Sequence, residues 1–358
     1  VSTKPRIVWL DAMRVLATWQ MVQGHTLDVV LHDASRHGTT FAWWSRARGM
    51  TSVAFLVLAG LTYVLTLPSS NILPRPLAIK RLRRAGLLIM LGYTLRAPAW
   101  TWLTTFGDEG DAKTETWKLA WQQFWVVDIL QCIGVCLVAT VAAQSLCKTL
   151  PRLQRLAWVL ALAAFTFNAS LVQDHVARGW PPLNQYLGSA HGSLFPLLPW
   201  SGYFFVGVAC GAWLRARDRK VADRSYGVPL AAVAAIAALF TWALDAHPPP
   251  TFAIFAVDRE PFFRIGCVVG CMTLAWSLTR RRVALAPLWV ELGSRTLAIY
   301  YIHVMLVYAP SWGLVRWAAR SMTPSVSLAT AIAVLGCSFG SARWVERAHT
   351  RRGLRDVD

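Results

Sequence analysis

Charge is what this chain has least of. Asp, Glu, Lys and Arg make up 15% of its 358 residues, against about 25% in an average globular protein. Hydrophobic residues make up 55%, and the mean hydropathy is +0.41. The charges that remain are crowded into short stretches between long uncharged ones, as a bilayer requires. Disorder, a small disulfide scaffold and a coiled coil are excluded. Acidic residues are scarcer still, 18 against 36 basic ones, for a net charge of +18. Read alone, that balance suggests nucleic acid. The basic residues, however, sit in turns between apolar runs, where a polytopic protein carries them to fix its orientation, and no nucleic-acid partner is expected.

Cysteines number seven, and Cys132, Cys136, Cys210, Cys267, Cys271 and Cys337 fall within apolar segments, so no disulfide framework is implied. The pairs Cys132/Cys136 and Cys267/Cys271 share i, i+4 spacing, but small polarizable Cys is an ordinary packing residue inside helices. No metal site is expected. Internal repeats, low-complexity tracts and soluble domains are also missing. The first apolar run carries Asp11, Arg14, His25 and Asp28 and lacks the plain core and small-residue cleavage site of a signal peptide, so it is expected to stay in the membrane.

What the sequence has is apolar runs close to the roughly 20 residues needed to cross a bilayer. They predict ten helices, at about 7–31, 50–67, 82–104, 123–146, 156–173, 195–214, 228–245, 261–279, 289–309 and 325–345, in one all-α transmembrane domain over residues 1–358. Alternate loops then differ sharply in Lys and Arg, with 23 on the side holding both termini and 9 on the other. The excess predicts cytoplasmic termini. Gly207/Gly211, Gly266/Gly270 and Gly336/Gly340 have the G-x-x-x-G spacing that lets membrane helices approach closely, a spacing also compatible with a homodimer.

Ionisable residues inside a membrane are costly and are functional candidates by default. At about 100° per residue, Arg14 and His25 lie within about 20° of one another around the first helix. Asp11, Thr18, Asp28 and His32 fall close to the same face, so a polar stripe runs the length of the span. A rise of about 1.5 Å per residue separates Arg14 from His25 by roughly 16 Å, which suits two ends of one long ligand, its anionic part at Arg14 and its reacting part at His25. A hydrogen-bonded seam is the plainer reading of the stripe.

Further buried polar groups, Asp128, Gln131, Arg264 and His303, are expected at a depth similar to His25 and Asp28. There imidazole and carboxylate groups can do general acid/base work. On the cytoplasmic side Arg84, in the run Lys80, Arg81, Arg83, Arg84, and Arg295 beside Glu291 are candidates to receive phosphates. Twelve of the nineteen tryptophans lie on the outer side. They form an aromatic belt, and their excess also suits a surface that stacks on sugar rings.

These residues resemble a known family. Arg6-x3-Leu10-Asp11-x2-Arg14 followed by His25 is similar to the R-x10-H signature of the acyltransferase-3 membrane proteins. Other landmarks resemble the heparan-α-glucosaminide N-acetyltransferase branch of the wider transmembrane acyltransferase superfamily. They are Phe55-Leu-Val-Leu-Ala-Gly60, Asp128-Ile-Leu-Gln-Cys-Ile-Gly134, Pro199-Trp-Ser-Gly-Tyr-Phe-Phe-Val-Gly207 and Leu292-Gly-Ser-Arg-Thr-Leu-Ala-Ile-Tyr-Tyr-Ile-His303. The resemblance spans essentially the whole chain, carried by the order of the motifs rather than by any one of them.

It implies a ten-helix enzyme of the bacterial inner (cytoplasmic) membrane that takes an acetyl (acyl) group from cytoplasmic acetyl-CoA (acyl-CoA). The group goes to the amine or hydroxyl of a carbohydrate or lipid-linked saccharide on the far side, and a homodimer is compatible. The R-x10-H pattern points to His25 as the catalytic histidine. The heparan-acetylating branch instead uses a histidine in the loop after the first span, whose nearest match is His37, with His32 next. His25 ranks first and His37 second. In this reading His25 takes the acceptor's proton as it attacks the thioester, oriented by Asp28 or Asp128, while an acyl-histidine intermediate is the variant. The competing class is a proton-coupled transporter, for which a membrane-spanning stripe of His and Asp is also a signature.

Overall fold

The computed structural model describes residues 7–68, 73–102, 111–167, 181–189, 192–216, 226–247, 258–280 and 287–355. Lys4, Arg6, Arg178, Trp180, Arg217, Arg219, Lys220, Arg224, Arg281, Arg282 and the end of the fifth expected span lie outside the described residues. So do the side chains of Trp102, Lys113, Arg280, Arg351, Arg352 and Arg355. The described helices are α1 (Val8–Val30), α2 (Gly38–Leu65), α3 (Arg75–Leu95), α4 (Pro98–Trp102), α5 (Asp111–Phe124), α6 (Ile129–Cys147), α7 (Leu150–Thr166) and α8 (Pro181–Leu187). They continue with α9 (Leu197–Arg215), α10 (Gly227–Ala246), α11 (Glu260–Arg280), α12 (Pro287–Ser294), α13 (Thr296–Tyr308), α14 (Leu314–Trp317) and α15 (Pro324–Arg355).

Among the described residues there is no β-strand, and an isolated bridge pairs Leu31 with Met322. Six stretches of the described residues are long and apolar enough to cross a membrane: α2, the run 114–147 through α5 and α6, α9, α10, α11 and α15 as far as Ala348. The run 114–147 is interrupted at residues 125–128, where Asp128 caps α6, so its apolar crossing belongs to α6. The protein is an all-helical, polytopic integral membrane protein.

Four of the ten expected spans are not among these six, and each departs for a visible reason. α1 carries Asp11, Arg14 and Asp28 along its length. α3 carries five cations in its first ten residues, and α7 is short, with 17 residues. The ninth expected span, 289–309, is two helices. It breaks at Arg295, which has φ −104° and ψ 16°, after Gly293 and Ser294. The Ser294 hydroxyl donates back to the Glu291 carbonyl at 2.7 Å, competing with the helical ladder.

The chain divides into two compact units. The first comprises residues 1–51, 99–113 and 282–358, built on α1, the start of α2, and α12 to α15. α1 is its centre, packed against α12, α13, α14 and α15. Trp9, Leu10, Met13, Met21, Val22 and Val30 are buried along it. Its buried hydroxyls satisfy themselves, Thr18 donating to the Arg14 carbonyl at 2.7 Å and Thr26 to the Val22 carbonyl at 2.8 Å.

A helix ends with carbonyls that have no partner in the helix, and in lipid they must find one. At α1 they all do. Arg36 donates to the Leu27, Asp28 and Leu31 carbonyls at 3.4, 2.6 and 3.0 Å. The Arg320 and Met322 amides donate to Val29 and Val30, both at 2.9 Å, and the His32 amide returns a bond to the Met322 carbonyl at 2.8 Å. Arg320 holds φ +52° to do so.

The second unit comprises residues 52–98 and 114–281. Its tightest seam is between α2 and α9. An added Cβ on Gly60 would lie 2.0 Å from the Phe204 carbonyl oxygen, and one on Gly207 would lie 2.1 Å from that of Val57. Small residues at these points let the backbones meet, as membrane packing favours. Gly211 faces the same seam, whereas nothing lies within 4 Å of a Cβ added at Gly336 or Gly340. The C-terminal carbonyls of α2 are held by two arginines. Arg81 donates to Tyr63 at 2.8 Å, and Arg215 donates to Leu65 at 3.2 Å and to Pro68. Arg81 is buried and lies 3.8 Å over the Tyr63 ring.

Candidate functional site

The polar face of α1 resolves into three groups, all within the first unit. Nearest the N-terminus, Arg14 pairs with buried Asp11 at 3.1 Å. α12 comes close there, since a Cβ on Gly293 would sit 3.2 Å from the Asp11 carbonyl and 3.8 Å from the Arg14 Cβ. On α12, α13 and α15, Arg295 pairs with Glu291 at 2.9 Å and Glu346 at 2.5 Å, and Arg343 shares Glu291 at 2.9 Å. Arg295 and Arg343 both lie over the Phe339 ring. These cations carry carboxylate partners already, so an incoming anion would compete with Glu291 and Glu346 for them.

Further along, His25 on α1 meets His303 on α13. The His25 Nδ1 lies 3.0 Å from the His303 Nε2, and the rings stack with centroids 5.1 Å apart. Tyr308 stands edge-on to His25 at 5.5 Å. His303 is wholly buried, and its Nδ1 lies 2.8 Å from the Ile299 carbonyl. One ring of the pair is thus anchored to a helix backbone, and the other hangs from it.

The last group surrounds Asp28. Its carboxylate meets Arg48 at 2.5 Å and Arg36 at 3.9 Å. Arg48 lies over the Trp44 ring, and the Trp44 indole donates to Gln23 at 2.8 Å. Asp28 is therefore engaged by guanidinium groups, while the hydrogen-bond partner of His25 is His303. His37 is exposed, just ahead of Gly38, which opens α2 with φ +86°. His32 is exposed too, accepting from the Ala34 amide at 3.1 Å.

In the second unit, Asp128 and Gln131 form the capping box of α6. The Asp128 carboxylate accepts from the Ile129 amide at 2.9 Å, and the Gln131 carbonyl oxygen accepts from the Asp128 amide at 3.1 Å. Such a box satisfies backbone donors that a helix start leaves over. Arg96 reaches the same carboxylate at 3.3 Å. Gln131 is wholly buried against Gly92, where any side chain would collide with its amide. Arg264 pairs with Glu260 at 2.8 Å and lies over the Trp200 ring at 5.7 Å. Arg84 is exposed on α3. Among the described residues, no three His, Cys, Asp or Glu side chains group as a metal site.

Of the six polar residues that the sequence suggests lie at one depth, His25, Asp28 and His303 belong to the first unit and Asp128, Gln131 and Arg264 to the second. Arg48 and Arg36, counted only as loop cations, turn out to be the partners of Asp28. No spacing in the sequence links Arg48 to α1, because the link is made through the turn at 31–37.

The model of the family described as heparan-alpha-glucosaminide N-acetyltransferase, catalytic, matches residues 6–244. The chain belongs to this family. Membership implies a membrane acetyltransferase, and with it favours the enzyme reading over a carrier. The matched residues include α1 with Asp11, Arg14 and His25, and the capping box of α6. They end before α11 to α15, so Arg264, Arg295 and His303 lie beyond them. No curated protein matches the chain significantly.

Proposed function

We propose that the protein moves an acetyl group from acetyl-CoA, presented at the cytoplasmic face, to a carbohydrate amine or hydroxyl on the far side of a bacterial cytoplasmic membrane. The observation that carries the proposal is the His25–His303 pair, an imidazole couple formed between α1, which lies within the residues matched by the acetyltransferase family, and α13. With both termini cytoplasmic, Arg14 lies toward the donor's side. Arg14, Arg84 and Arg295 are the cations offered to the phosphates of the donor. Arg264 beside Trp200, with Asp128 and Gln131, would serve the saccharide.

His25 acts as the general base. Its free ring nitrogen takes the proton of the acceptor as the amine or hydroxyl attacks the thioester carbonyl. The new C–N or C–O bond forms, the C–S bond breaks, and the CoA thiolate leaves and recovers the proton. Acetyl-His25 is the stepwise variant, distinguished by a burst of free CoA in the absence of acceptor.

The test is thiol release from acetyl-CoA by the purified full-length protein in detergent, with and without glucosamine-type acceptors. Acceptor-dependent release is expected from the wild type. His25→Ala should lower it by about 10²- to 10⁴-fold, with His37→Ala within about threefold of wild type because that side chain is exposed and outside the pair. Loss with His37→Ala and retention with His25→Ala would move the base to the loop. Absence of both turnover and acetyl-CoA binding would overturn the enzyme reading.

A further inference from the structure

We infer that His303 is the positioning residue of the reaction: it fixes the tautomer of His25 so that the Nε2 lone pair faces the chemistry. The inference rests on His25 being the base. It follows from a chain of two hydrogen bonds that runs in one direction only.

A backbone carbonyl can accept a hydrogen bond but never donate one. The His303 Nδ1, 2.8 Å from the Ile299 carbonyl, therefore carries the hydrogen. In a neutral imidazole one nitrogen donates and the other accepts, so the His303 Nε2 is the acceptor. The atom 3.0 Å from it is the His25 Nδ1, which must then be the donor. What is left on His25 is a bare Nε2.

A free imidazole prefers the opposite tautomer, with its hydrogen on Nε2, which leaves that nitrogen no lone pair to accept a proton. The Ile299 carbonyl thus sets His303, and His303 sets His25. The direction survives the reaction. When the Nε2 of His25 takes the proton of the acceptor, its Nδ1–H keeps donating to the neutral His303 Nε2, so no bond has to turn over as charge develops. In a catalytic triad a carboxylate does this work, and here a second imidazole anchored to a helix carbonyl does it. The nearest carboxylate on α1, Asp28, is held by Arg48 and Arg36. Both rings are held in place: His303 is fully covered, and Tyr308 and the stacked geometry limit rotation of His25.

The test reads the tautomer directly. Full-length protein labelled with 15N-histidine holds eight imidazoles, and the His25 signals are those missing from the His25→Gln spectrum. In the wild type they should show Nδ1 protonated and Nε2 bare. In His303→Phe, which keeps a ring but removes the acceptor, His25 should revert to the Nε2–H form. His303→Gln offers a carbonyl oxygen close to the position of the lost Nε2 and should restore the wild-type pattern. In the acetyl-CoA assay His303→Phe should lower kcat by about 10- to 100-fold with both KM values unchanged, and His303→Gln should recover most of it. A wild-type His25 with Nε2 protonated would overturn the inference. So would His303→Phe with wild-type kcat, or Phe and Gln variants that both raise KM, which would make His303 a binding residue. Full activity in His25→Ala would instead remove the base and leave the tautomer result standing.

Discussion

Arg48 reaches from α2 to within 2.5 Å of Asp28 on α1, and its side chain crosses α1 at Gly24, where an added Cβ would lie 2.8 Å from the Arg48 Cγ. The glycine makes room for the arginine, and the arginine spans one turn of α1 to its carboxylate. Gly24→Ala should therefore displace Arg48 at a cost of about 1–2 kcal/mol, as overpacking does, seen as a lower Tm in detergent. The cost should vanish in the Arg48→Ala background, where no Cγ remains to be pushed. A double-mutant cycle measures that coupling, and additive effects would deny the contact.

Asp28 makes its bonds to Arg48 and Arg36 and leaves the His25 ring to His303. Its ion pair is partly solvated and contributes at most about 1 kcal/mol. Asp28→Asn is thus expected to lower Tm slightly and to keep kcat for acetyl transfer within about fivefold of wild type. A loss of a hundredfold or more in the thiol-release assay would instead make Asp28 the group that orients the base.

Glycines within the membrane helices should not behave alike. Gly60→Ala and Gly207→Ala each drive a methyl group into a facing backbone carbonyl at about 2 Å, and neither carbonyl can move without its helix. Both variants should lose folded, monodisperse protein on size-exclusion chromatography, as overpacking by more than about 3 kcal/mol would produce. Gly336→Ala and Gly340→Ala, with nothing within 4 Å, should elute and melt like the wild type.

Two arginines three residues apart on α3 should separate structure from substrate binding. Arg81 is buried on the Tyr63 ring and carbonyl, a planar geometry that an ammonium group cannot reproduce. Arg81→Lys should cost about 1–3 kcal/mol of stability in thermal unfolding. Exposed Arg84 should behave the other way, with Arg84→Ala leaving Tm alone and raising the KM for acetyl-CoA several-fold. Unchanged KM would take Arg84 off the donor's path.

The helical architecture was legible because apolar runs and basic turns report directly on lipid and water. Where the reading of a span departed from the structure, local chemistry was the cause. Ser294 and Arg295 break the ninth run through a hydroxyl-to-carbonyl bond and ion pairs to Glu291 within the run and Glu346 on α15, and a hydropathy scan cannot register either. His25 stood out as an imidazole in an apolar run, and His303 likewise. Their pairing did not, since α1 and α13 are far apart in the chain and spacing speaks only within a helix. Asp128 and Gln131 show how one pattern can carry two meanings. Asp-x-x-Gln ahead of an apolar run is the sequence mark of a capping box, and the structure forms that box with the same buried carboxylate that the sequence offers for chemistry.

The end of α1 has a consequence for the order in which the protein can be made. Two of its last carbonyls are satisfied by the amides of Arg320 and Met322. The earliest described helix to emerge from the ribosome is therefore completed only after nearly every other helix has been synthesised. Until then those carbonyls need water or the insertion machinery as partners, because hydrocarbon offers none. The helix that bears His25 reaches its final setting among the last events of biogenesis, and any chain that stalls before α13, which carries His303, is left without the imidazole pair.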